Sequence, residues 1–130
     1  MISRRLLLAG AIVAGAIFAA PAFAAETINY SPATFDAAQK AGRSILVEIQ
    51  APWCPTCRAQ APILASLETQ PQFKNLLVVH VDFDSQKEAL RRFGARVQST
   101  LITFKGGVET GRSIGDTDRE SIAALVGKAI

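Results

Sequence analysis

ILVEIQAPWCPTCRAQAPIL, residues 45–64, decides how the chain is read. Its first part is a run of β-branched and apolar residues, a strand interrupted only by Glu48. Trp53 and two cysteines follow, and Cys54 and Cys57 are the only cysteines in 130 residues. A helix is expected to open at the pair and run toward Gln70, kinked at Pro62. Pro55 suits its first turn, where a missing N–H costs nothing. Cys54 then sits at the positive end of the helix dipole, facing backbone N–H groups that have no partner. Thiolate is favoured there, which makes Cys54 the expected low-pKa, exposed nucleophile. Cys57, one turn further in, is near enough to close a small ring and is expected to be more buried, suited to resolving a mixed disulfide.

Two other uses of the pair compete with redox chemistry. A structural zinc site usually takes four Cys or His ligands, against two cysteines and the single His80 in this chain. A structural staple is weakly supported, because so small a ring removes little unfolded-state entropy. Redox exchange suits a Cys-x-x-Cys unit that follows a strand and opens a helix.

Outward from this stretch the chain alternates helices and strands. Residues 31–42 read as a short helix with Ser31 as N-cap, Pro32 at the first position and Gly42 at the end. Residues 75–83, NLLVVHVDF, read as a second buried strand. Residues 85–94 read as a helix with Ser85 and Glu88 at capping-box spacing and Gly94 as its stop. STLITF is a third strand, Gly106-Gly107 a hairpin turn, and VETGRSIG a fourth, edge-like strand. Residues 116–130 form a closing helix, with Thr117 and Glu120 at capping-box spacing and Ile122, Leu125 and Val126 on one face. This order predicts an α/β sandwich, a mixed sheet with helices on both faces.

The amino-terminal residues 1–24 read as a secretory signal peptide. Arg4 and Arg5 precede an uncharged apolar stretch, Leu6 to Ala20, and Ala22-Phe23-Ala24 is a small-residue cleavage site. The stretch falls short of the roughly 20 residues that span a bilayer. Ser3-Arg4-Arg5 also resembles a twin-arginine signal, so the general secretory and twin-arginine routes both stay open. Without Arg4 and Arg5 the count is 12 basic against 11 acidic, a net +1 in place of +3. No basic stripe interleaved with aromatics remains, which argues against nucleic-acid binding. One domain, residues 25–130, is expected in an oxidising compartment such as the periplasm.

The mature chain resembles a thioredoxin over essentially its whole length. ILVEIQAPWCPTCRAQAPIL is followed by VVHVDFD, FGARVQSTLITFKGG and GRSIG at thioredoxin-like spacing. The resemblance implies a three-layer sandwich around a central mixed sheet. It also implies a protein thiol–disulfide oxidoreductase with no cofactor, acting on protein thiols or disulfides as a monomer. In that likeness Cys54 attacks, Cys57 resolves and Trp53 flanks them. Glu48 stands where the family has a buried acid, usually Asp, that exchanges a proton with the second cysteine. Burial would raise its pKa. His80 falls where a lysine is common; it either shares a proton with Glu48 or is satisfied by backbone groups. Arg58 either supports the thiolate or is a solvated helix charge.

The loop at Ser99 departs most from the family. A cis-proline normally precedes the threonine that is Thr100 here, and the loop holds extended substrate backbone. Val97-Gln98-Ser99-Thr100 has no proline, and a cis bond before serine would cost about 3 kcal/mol. Ser99 and Thr100 are therefore expected substrate-binding residues in an altered loop. Loss of the proline also raises a second reading, a metal- or cluster-binding module that uses the same cysteines. In an oxidising compartment a reductive role would need an electron donor, such as a membrane protein.

Overall fold

The computed structural model describes residues 10–17 and 24–130. Arg4, Arg5 and most of the proposed cleavage site lie outside the described residues. Among the described residues no helix is long and apolar enough to cross a membrane.

The elements run β1 (Glu26–Asn29), α1 (Pro32–Lys40), β2 (Ser44–Gln50), α2 (Pro55–Glu68), a short 3₁₀ turn (Pro71–Phe73), β3 (Leu77–Asp82), α3 (Lys87–Phe93), β4 (Thr100–Lys105), β5 (Val108–Ile114) and α4 (Arg119–Gly127). The sheet order is β1-β3-β2-β4-β5. β3 lies parallel to β1 and β2, whereas β4 runs antiparallel to β2 and β5. The sheet is mixed, as the sequence predicts, but it has five strands among the described residues rather than four. The additional strand is β1, whose four residues pair with Leu77–His80.

Alternation along β2 assigns the two faces. Ile45, Val47 and Ile49 point to a core shared with α1 and α3, whereas Leu46 points to one shared with α2 and α4. On the first side Phe35 packs edge-on against Phe93 at 5.1 Å and Phe104 at 5.4 Å between ring centres. Edge-to-face aromatic pairs of this kind add about 0.5–1.5 kcal/mol beyond burial alone. Glu48 follows Leu46 in phase, so its carboxyl enters the α2–α4 side of the sheet.

Several end signals behave as expected. Ser31 Oγ accepts from Thr34 N at 3.3 Å, Gly94 closes α3 in the left-handed region at φ +61°, and Gly106 turns the hairpin at φ +55°. Two capping assignments are corrected. Ser85 does not cap α3: Gln86 holds that place without a side-chain cap. Ser85 Oγ instead donates to Asp82 Oδ2 at 2.6 Å, drawn to a carboxylate that closes the turn after β3. The cap of α4 is Asp118 rather than Thr117. Its Oδ2 accepts from Ser121 N at 2.9 Å, and Asp118 N is itself fixed by Asp116 Oδ1. Between β4 and β5 the register slips at Thr103/Phe104, leaving Thr110 as an extra residue.

Candidate functional site

The end of β2, the start of α2 and the loop entering β4 converge on the two cysteines. Both are free thiols. Cys54 is the N-cap of α2, and its sulfur accepts the backbone N–H of Cys57 at 3.2 Å. This is the placement that the strand–Cys-x-x-Cys–helix pattern predicts. Burial alone pushes the Cys54 pKa up. The Cys57 thiol, the backbone N–H groups of Cys57 and Thr56, and the Gln98 side chain outweigh it and hold the thiol below its ordinary value. For Cys57 the balance is reversed. Burial and the neighbouring Cys54 sulfur together raise its pKa, so it keeps its proton until a base removes it.

The exposures are opposite to expectation. Cys54 is 1% exposed, whereas Cys57 is only partly buried. Two arrangements account for this. Cys54 lies at the N-cap of α2, its sulfur turned onto the backbone N–H of Cys57. A cleft of about 630 Å³ opens beside Cys57, bordered by Pro52, Arg58, His80 and Asp82. Cys54 is therefore the more covered of the two sulfurs, and Cys57 the one beside open space. Trp53 does not provide the cover. It is half-exposed, its ring stands edge-on to Phe83, and its indole N–H donates to Asp84 Oδ2 at 2.8 Å.

Behind Cys57 lies a smaller cavity of about 200 Å³, which Glu48, Glu68 and His80 also border. Glu48 is 6% exposed. The parallel register places it directly beside His80, and Glu48 Oε2 lies 2.8 Å from His80 Nε2. Of the two roles considered for His80, the structure therefore shows the carboxylate partner. The hydrogen bond that His80 donates to Glu48 raises the His80 pKa against the opposing effect of burial.

Sequence reasoning missed Glu68. Burial first, then the neighbouring Glu48 carboxyl, push its carboxyl up to about 8. The signal was present in the helical period. Cys57, Ala61, Leu64 and Glu68 are spaced four, three and four apart, so one stripe of α2 carries all four over Glu48.

The Gln98–Ser99 peptide is trans, and Ser99 lies in the left-handed region at φ +62°. Its N–H donates to Ile49 O at 2.7 Å, and its carbonyl accepts from Gly115 N at 3.0 Å and Gln60 Nε2 at 3.2 Å. The hydroxyl turns back to Gln98 O. Thr100 is 1% exposed, and its Oγ1 donates to Val97 O at 2.6 Å. The loop thus exists without proline, held by bonds within the chain.

A sequence model of the family described as Thioredoxin matches residues 26–128. Thioredoxin from Chlamydia muridarum is 33% identical over 84 residues, covering 65% of this chain and 80% of that protein. Thioredoxin from Alicyclobacillus acidocaldarius is 31% identical over 98 residues, covering 75% and 92%. Among solved structures, Trxlp from Edwardsiella tarda superimposes with a TM-score of 0.76 at 40% identity, over 78% of this chain and 98% of that one. Matched over its fold and carrying a thiol pair at the head of α2, the chain belongs to the thioredoxin family, as a thiol–disulfide oxidoreductase that acts on protein thiols or disulfides.

Proposed function

We propose that Cys54 is the attacking thiol of an exported oxidoreductase, that Cys57 is its resolving thiol, and that Glu48 accepts the Cys57 proton. The observation that carries this assignment is the Cys57 N–H pointing at the Cys54 sulfur, 3.2 Å away, at the start of α2. In the reductive direction the Cys54 thiolate attacks a substrate disulfide and expels one substrate sulfur as thiolate. The Cys57 S–H proton then passes to the Glu48 carboxylate. The Cys57 sulfur bonds to Cys54, and the second substrate sulfur leaves with the electron pair of the broken mixed disulfide. Run backward, the same steps oxidise a dithiol. Trp53 stands at the surface that meets the substrate chain, and Ser99 and Thr100, whose side chains are buried, shape the loop beside it.

Export to the periplasm is supported by the Arg4-Arg5 region, the apolar stretch and Ala22-Phe23-Ala24. A reductive role there draws electrons from a membrane donor, and an oxidative role delivers them to an acceptor. The working unit is one chain. The rival metal or cluster reading has less support: among the described residues no group of three or more His, Cys, Asp or Glu side chains is arranged to hold a metal ion.

Insulin reduction and glutathione-disulfide turnover test the assignment. Cys54→Ser is expected to abolish both, and Cys57→Ser to accumulate a covalent adduct with the substrate. Turnover that survives Cys54→Ser would overturn it. The potential of the pair then sets the direction: a value near about −270 mV marks a reductant and one near about −120 mV a disulfide donor.

A further inference from the structure

Glu48 presents two oxygens to the interior, and only one of them is provided for. Oε2 is held by His80 at 2.8 Å. Oε1 is fully buried and accepts no hydrogen bond from a group placed to donate one. Leaving a buried acceptor bare costs about 1–3 kcal/mol, so a donor is wanted on that side.

The surrounding elements offer few. From α2, Gln60 already spends its amide N–H groups on Ser99 O and Asp116 O. From β3, His80 Nε2 is used on Oε2. From β4, Leu101 has no polar side-chain atom, and from β2 the Gln50 amide borders both this cavity and the outer cleft but has no proton to transfer. The amino-terminal segment reaches Glu68 only through its backbone, where Ala25 N donates to Glu68 O at 3.0 Å. Two titratable side chains remain on the cavity wall with a proton to give, Cys57 and Glu68.

We propose that Glu68 is a positioning residue for the resolving step: its carboxyl shares a proton with Glu48 across the cavity, so that Cys57 meets a paired acid rather than a lone carboxylate. The proposal rests on the redox reading and extends it to a residue that touches neither substrate nor the reacting sulfurs. Burial and the Glu48 charge keep the Glu68 carboxyl protonated up to about pH 8. While it holds that proton, the charge on Glu48 is divided between two donors, Glu68 and His80. When it is lost, two carboxylates face one another in a confined space, and the pair becomes a stronger acceptor for the Cys57 proton.

The step balances without consuming the shared proton. The Cys57 S–H proton moves to the pair, the Cys57 electron pair forms the bond to Cys54, and the substrate departs as thiolate. His80 then provides the exit, because it borders both the inner cavity and the open cleft, whereas Glu48 and Glu68 border the inner cavity alone.

Stopped-flow mixing of the reduced protein with an aromatic disulfide reagent separates the two steps. The first coloured thiolate is released by Cys54 attack, the second by Cys57 closure. In the wild type the second phase is expected to inflect near pH 8. Glu68→Gln should lose that inflection, and Glu68→Asp should retain one. A second-phase profile in Glu68→Gln that superimposes on the wild type would overturn the proposal. Absence of the first phase in the wild type would instead sink the redox reading beneath it. Should Glu68→Gln fail to fold, carboxyl carbon resonances of the wild type decide. One is expected to titrate near pH 8, and titration of every carboxyl in the ordinary acidic range counts against the shared proton.

Discussion

Ser99 shows how much a single residue can depart from a family pattern and still complete the loop. Its φ of +62° is a conformation that proline, fixed near −65°, does not reach, and its N–H is bonded to Ile49 O at 2.7 Å. Ser99→Pro, the change toward the family, is therefore expected to destabilise by more than about 1 kcal/mol in urea unfolding. The Glu48 cavity adds a pH dependence. Unfolded, Glu68 releases its proton near pH 4.5; folded, near 8. Between those values the unfolded chain binds fewer protons than the native one, so stability falls as pH rises and levels off above about 8. His80 acts in the same direction. Its raised pKa gives a contribution complete below pH 6.5 that is lost as pH climbs through the folded value. Urea midpoints from pH 5 to 9 should decline in the wild type and decline less in Glu68→Gln. Much at this scale was legible in sequence. Cys54, Cys57 and the buried Glu48 follow from motif and strand phase, whereas the Glu48–His80 contact was one of two readings and is decided by the parallel register of β2 and β3. The exposures of the cysteines were not legible, since they depend on how the loop at Ser99 and the cleft beside Cys57 pack in three dimensions.

At the level of elements, caps and close approaches carry the testable content. Asp118→Ala removes the acceptor for Ser121 N and is expected to cost about 1 kcal/mol, whereas Thr117→Ala should be nearly neutral. Thermal midpoints of the two variants distinguish them. Gly111 on β5 lies against α4, and a Cβ there would come within 2.7 Å of Leu125 Cδ1 and 3.1 Å of Thr103 Oγ1. Gly111→Ala should thus lose about 1–3 kcal/mol through overpacking. The helices and longer strands were readable because their apolar period repeats several times. β1 was not: Glu26–Asn29 is four residues with only Ile28 facing a core, and it is a strand because β3 offers it a free parallel edge. The α3 and α4 caps were misjudged for a related reason, since spacing alone does not tell which of several adjacent Ser, Thr and Asp side chains another carboxylate will claim.

Over the whole molecule, a sheet with a core on each face divides the labour. The α1–α3 side holds the aromatic cluster around Phe35 and carries stability, and the α2–α4 side accepts the polar cavity beneath Cys57. Phe35→Ala is expected to cost about 3–5 kcal/mol. That is a large share of the roughly 5–15 kcal/mol available to a domain, and denaturant titration should show it with Cys54 alkylation in the folded state little changed. The layered architecture was the most legible property of all, because alternation of strand and helix leaves few other ways to cover both faces. The slip at Thr103/Phe104 has one more outcome. Thr110 interrupts the row of amides that β5 turns outward, and at the opposite border β1 is only four residues long. Neither rim offers a straight template for a second sheet, so concentrated protein is expected to stay dispersed where an unbroken rim would seed fibres.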